Sequence, residues 1–154
     1  MATHKSKQIN DLLRKVFGME SLRDGQRHVI DSVLAGQDTL AVMPTGSGKS
    51  LCYQLPARLL KDKGMTVVVS PLISLMKDQA EKLEEAGIAS AAQINSSLSR
   101  GDELAALEGI ESANKDIIFC TPERLVTPDF LTLLKGGDIA LVVIDEAHCI
   151  SQWG

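Results

Sequence analysis

Thr39-Leu40-Ala41-Val42-Met43-Pro44-Thr45-Gly46-Ser47-Gly48-Lys49-Ser50 joins a short apolar run to a loop and then to a Lys-Ser pair at the mouth of the next helical stretch. Residues 39–43 read as a strand. Residues 44–48 hold a proline and two glycines, which neither helix nor strand tolerates. From residue 49 to about 61 the chain reads as helix. Strand, Gly-rich loop and helix in this order form a phosphate-binding turn. Glycines let successive N–H groups converge on one point, and the helix dipole adds partial positive charge there. Thr45, Gly46, Ser47 and Gly48 supply the cradle. Lys49 is placed for the β- and γ-phosphates of a nucleotide, and the Ser50 hydroxyl for Mg²⁺. The strict pattern asks for glycine five positions before Gly48, where Met43 stands. An ordinary Gly-rich connection is the plainer reading, and the flanking strand, helix and Lys-Ser pair argue against it.

Outward from this turn the same alternation continues. Upstream, Ile9, Leu12, Leu13, Val16 and Phe17 recur at helical spacing, and so do Gln26, Val29, Ile30, Val33 and Leu34. Downstream, residues 66–70 form a β-branched run followed by a helix over about 72–86. Residues 89–94 are a weaker strand candidate. Ser99 is placed to cap a helix bearing Leu104, Leu107 and Ile110. Residues 116–120 read as strand, and Pro122 and Pro128 each open a short helix. Residues 139–144 are the most apolar strand of all. Apolar strands alternating with helices predict an α/β fold whose parallel sheet is covered on both faces. Residues 1–36 form an N-terminal helical part and residues 37–154 the sheet-bearing part.

Asp145 and Glu146 close that last strand, at the carboxyl end where open parallel sheets bind ligands. One carboxylate there holds the Mg²⁺ shell, and its neighbour orients and deprotonates the attacking water. Asp145 takes the first role and Glu146 the second. His148 could report nucleotide state across the site or be a solvated loop histidine. Trp153 could stack on a base or belong to the core, and periodicity does not separate the two.

The 154 residues suit one domain. The net charge of −4 argues against a large basic surface, although helix-start amides hold phosphates without altering that count. Cys52, Cys120 and Cys149 lie far apart without metal-ligand spacing and read as free thiols in a reducing cytoplasm. No apolar run approaches the ~18–20 residues that span a bilayer, so no membrane partner is expected.

With these residues in view, the chain resembles a family. Met43 through Ser50 and Asp145-Glu146-Ala147-His148 look like motifs I and II of superfamily-two helicases, where Met or Ala in place of the first glycine is usual. The resemblance is closest to RecQ-type DNA helicases. It is carried by Leu51-Cys52-Tyr53-Gln54-Leu55-Pro56-Ala57, Ser70-Pro71-Leu72-Ile73-Ser74-Leu75-Met76-Lys77-Asp78-Gln79, Thr121-Pro122-Glu123-Arg124-Leu125 and Cys149-Ile150-Ser151-Gln152-Trp153-Gly154. It implies a RecA-like P-loop NTPase fold, ATP and Mg²⁺ as cofactors, and 3′-to-5′ translocation on DNA, with single strands and duplex junctions as partners. It also implies that Gln26 hydrogen-bonds adenine and Arg23 stacks on it. Met19 and Leu22 depart here, because relatives often carry an aromatic and a phenylalanine. Ser70, Ser74, Thr121 and Glu123 would contact the DNA backbone, while His148 and Trp153 would couple DNA binding to hydrolysis.

By the same resemblance the fold is incomplete at the C-terminus. A second RecA-like domain and its arginine fingers are expected beyond Gly154, together with the accessory regions, so the cysteines are not assigned to zinc. Losing an arginine finger costs ~10³–10⁵ in turnover, which makes binding without turnover an alternative for this polypeptide. An RNA helicase of the DEAD or DEAH sort is another, against which residues 54–56 and 149–154 argue.

Overall fold

The computed structural model describes residues 2–43, 48–112 and 114–147. They fall into two compact units, Met1–Leu59 and Leu60–Gly154.

The first unit contains α1 (Ala2–Lys15) and α2 (Asp24–Leu34), and α3 (Leu51–Leu60) runs to its boundary. Ile9, Leu13, Ile30, Leu51 and Leu55 form one core cluster. Ile9, Leu13 and Ile30 are positions that the helical spacing singles out, because residues three and four apart share a helix face. Pro56 lies within α3. The expected strand at 39–43 does not form: these residues have no regular structure, and Leu40 and Val42 are 84% and 91% exposed. An apolar run becomes a strand only when a neighbouring strand takes up its N–H and C=O groups. Among the described residues these five pair with none.

The second unit is built on β1 (Met65–Val69), β2 (Ala91–Ile94), β3 (Ile117–Cys120) and β4 (Ile139–Ile144). All pairings are parallel and the order is β2-β3-β1-β4. Between the strands run α4 (Ile73–Glu85), α5 (Arg100–Glu111), α6 (Pro122–Leu125) and α7 (Pro128–Lys135). Ser99 caps α5, its Oγ accepting the Asp102 N–H at 3.1 Å. Met65, Val67, Val69, Ile94, Ile118 and Cys120 point to one face and pack with Ile110 of α5 and with Phe130 and Leu134 of α7. By strand alternation Val68, Ile117 and Phe119 point to the other face. They too are buried, and α4 packs against β2 and β3.

β4 departs from the expectation of a strand buried on both faces. It is the most apolar strand yet the least buried, with Ile139, Val142 and Ile144 exposed. The register Val67↔Val142 and Val69↔Ile144 puts the last two on the face carrying the core cluster. α5 and α7 cover that face over the inner strands, and no residue of β4 enters the cluster. Composition set the strand, and the reach of α5 and α7 set its burial on that face, since β2 at the opposite end of the described sheet is buried.

Candidate functional site

Register brings one polar residue from each strand to the carboxyl edge of the sheet. Ile94 pairs with Cys120, Cys120 with Val69, and Val69 with Ile144. The next residues, Asn95, Thr121, Ser70 and Asp145, therefore stand in one row. Ligands of open α/β sheets bind in the crevice outside the carboxyl ends of the strands.

Three of the four are buried, and their side chains shape the loops that leave the sheet. Ser70 Oγ accepts the Leu72 N–H at 3.2 Å, while its own N–H donates to the Cys120 carbonyl at 3.0 Å. Thr121 Oγ1 accepts the Arg124 N–H at 3.4 Å. Asn95 Oδ1 accepts the Ser97 N–H at 2.9 Å, and its Nδ2 donates to Gln93 Oε1 at 3.0 Å. Sequence reading passed over Asn95, although its signal is the one that marks Ser70, Thr121 and Asp145: a polar residue directly after an apolar strand. Ser74 and Glu123 are exposed on α4 and α6. Arg124 of α6 pairs with Glu103 of α5.

Asp145 continues the ladder, its N–H donating to the Val69 carbonyl at 2.9 Å. Its Oδ1 accepts the Glu146 N–H at 3.0 Å, which fixes the carboxylate against its own backbone. Glu146 adopts φ 55°, a left-handed conformation held by no other described residue except glycine. For an L-residue that costs about 1–2 kcal/mol. Such strain concentrates where a side chain must be aimed.

In the first unit, Gly48, Lys49 and Ser50 lead into α3. The Lys49 and Ser50 carbonyls accept the first helical N–H groups: Cys52 N donates to Lys49 O at 3.0 Å and Gln54 N to Ser50 O at 2.9 Å. Lys49 and Ser50 thus sit at a helix N-terminus, half-buried, where anions are favoured. An ammonium, a hydroxyl and helix-start amides are the donor set that a magnesium triphosphate requires. Gly48 has φ 76°. Against it lies Gln26, only 2% exposed, whose Nε2 donates to the Gly48 carbonyl at 3.1 Å and whose Oε1 accepts the Arg23 N–H at 2.9 Å. Arg23 is exposed at the start of α2. Thr45, Gly46, Ser47, His148 and Trp153 lie outside the described residues.

Residues 23–154 match the model of the DEAD/DEAH box helicase family. The chain belongs to the DEAD/DEAH box helicases. Within this family it is 51% identical over 144 residues to the ATP-dependent DNA helicase RecQ of Bacillus subtilis, covering 93% of the chain and 24% of that protein. It is 46% identical to the probable ATP-dependent DNA helicase RecS of the same organism, covering 96% of the chain and 29% of that protein. The chain therefore spans roughly a quarter of these relatives, and its sequence is of the RecQ type. Among solved structures, a hypothetical ATP-dependent RNA helicase from Sulfolobus tokodaii superposes with a TM-score of 0.71 at 25% identity, covering 96% of this chain and 43% of that one. The DUF1998 helicase MrfA bound to DNA and AMPPNP superposes with a TM-score of 0.73 at 22% identity, covering 92% and 21%. These likenesses bear out the α/β parallel sheet of a RecA-like helicase domain. No helix among the described residues is long and apolar enough to cross a membrane.

Proposed function

We propose that this chain is the nucleotide-binding part of an ATP-driven, RecQ-like DNA helicase motor moving 3′ to 5′. In this reading residues 1–36 carry the adenine-reading motif and residues 37–154 belong to the first RecA-like domain. The observation that carries it is the helix-start placement of Lys49 and Ser50 after Gly48, in a chain whose other unit ends β4 with Asp145 and a strained Glu146. Bound MgATP supplies the phosphoanhydride whose hydrolysis drives movement.

Lys49 and the first amides of α3 bind the phosphate chain, with Thr45, Gly46, Ser47 and Gly48 around it. Ser50 and Asp145 are the residues that would hold Mg²⁺. Glu146 orients water and takes its proton, and Arg23 and Gln26 meet the base. Ser70, Ser74, Thr121 and Glu123 face the DNA backbone, and His148 and Trp153 link that contact to hydrolysis. Buried Ser70 and Thr121 act on DNA by holding loop amides in place, and exposed Ser74 and Glu123 by direct contact. DNA is favoured over RNA by identities of 46–51% to DNA helicases, against 25% to the Sulfolobus tokodaii RNA helicase.

The test is calorimetry of MgATP binding by the chain and by Lys49→Ala. A lost charge-assisted contact costs about 1.5–3 kcal/mol, so the variant should bind roughly 10- to 150-fold more weakly. Equal binding by both proteins, or none by either, rejects the reading. Tighter binding of single-stranded RNA than of single-stranded DNA rejects its nucleic-acid half.

A further inference from the structure

Gln26 occupies the space that a side chain at position 48 would need. A Cβ built on Gly48 would lie 2.3 Å from Gln26 Nε2, well inside contact distance. The same amide bridges two segments 22 residues apart in sequence. Its oxygen accepts the Arg23 N–H where α2 begins, and its nitrogen donates to the Gly48 carbonyl just before Lys49. A side chain that is 2% exposed and bonded at both ends of its amide is a structural brace. The carbonyl it holds belongs to the peptide unit whose nitrogen is Lys49 N, so the brace sets the orientation of that N–H.

We propose that Gln26 is a positioning residue for the triphosphate, acting through the Gly48–Lys49 peptide independently of any contact with the base. This rests on reading Gly48, Lys49 and Ser50 as the phosphate-binding turn. A group that only read the base would matter for ATP and be irrelevant to a ligand without one. A group that holds the turn matters for both.

The deciding experiment compares Mg-ATP with Mg-tripolyphosphate, which has the phosphates and no base, on the 154-residue chain and on Gln26→Met. Methionine keeps the side-chain volume and removes both hydrogen bonds. Binding of tripolyphosphate should weaken on the order of tenfold for two lost neutral hydrogen bonds, and that of ATP by at least as much. Weakened ATP binding with unchanged tripolyphosphate binding overturns the proposal.

A second measurement stands apart from ligand binding, so that failure of the parent reading is separable. In a cycle of Gln26→Ala, Gly48→Ala and the double variant, the backbone strain of alanine at position 48 is common to both backgrounds and cancels. Removing Gln26 should relieve the clash, making Gly48→Ala at least severalfold less damaging to the folding equilibrium in the Gln26→Ala background. Strict additivity shows that the two residues do not touch in solution and overturns the proposal even if the chain binds neither ligand.

Discussion

Gly64→Ala tests whether the contact between the starts of β1 and β4 holds the second unit together. Gly64 precedes β1 with φ 153°, and a Cβ there would lie 2.6 Å from the Asp138 carbonyl oxygen, 2.8 Å from its carbon and 2.9 Å from the Ala140 nitrogen. All three are backbone atoms, so no side-chain rotation relieves the clash. Reaching the 3.4 Å of an ordinary contact requires the two chains to part by roughly 0.8 Å. The Asp138 oxygen is also the acceptor for the Met65 N–H at 2.9 Å, the bond that opens the pairing of the two strands. Overpacking costs about 1–3 kcal/mol, and a weakened backbone bond adds about 0.5–1.5 kcal/mol. The expected loss is therefore roughly 2–4 kcal/mol. For a unit of this size each kcal/mol lowers Tm by about 4–8 °C, so the transition followed by circular dichroism should fall by at least ~8 °C. The matched control is Gly101→Ala on α5, where a Cβ meets nothing within 4 Å. It should be neutral or stabilising by up to about 1 kcal/mol. A Gly64→Ala protein melting within ~2 °C of the parent, beside a well-behaved control, would refute the reasoning.

Two further perturbations follow from buried and capping groups. Burial pushes the Cys120 thiol up from 9.0 to about 12, so at pH 8 iodoacetamide should leave Cys120 untouched in the folded chain and label it in urea. Between pH 9 and 12 the unfolded state loses this proton while the folded state keeps it. Stability should be flat below pH 9 on this account and then fall by about 1.4 kcal/mol per pH unit. Cys120→Ala should lack that component of the slope, and an unchanged slope contradicts the assignment. Ser99→Ala removes the α5 cap and should cost about 1 kcal/mol in urea unfolding, with no change in MgATP affinity.

Much of this was readable from the chain because it is local. Helical spacing found Ile9, Leu13 and Ile30, hydroxyl and proline signals found the starts of α5, α6 and α7, and apolar runs found all four strands of the sheet. What escaped depends on neighbours far away in sequence. Nothing in Leu40 or Val42 says that no strand pairs with them, and nothing in Val142 says that α5 and α7 stop short of it. Gln26 shows the same limit within the candidate site. Its residue type suggests a hydrogen-bonding side chain, but not that the partner is Gly48. Asn95 carries the same signal as Ser70 and Thr121, but its strand is short and weakly apolar, and the register is what sets it in their row.

The exposed face of β4 also bears on how the protein behaves in a crowded solution. Among the described residues β4 has β1 on one side and no strand on the other, with Val142 and Ile144 bare along it. A parallel edge of this kind is a template on which another molecule can add a strand. A second copy that paired there would make the monomer fraction fall as concentration rises. Lysine at position 142 would put a charge where the next strand must approach, and monomer would persist to higher concentration.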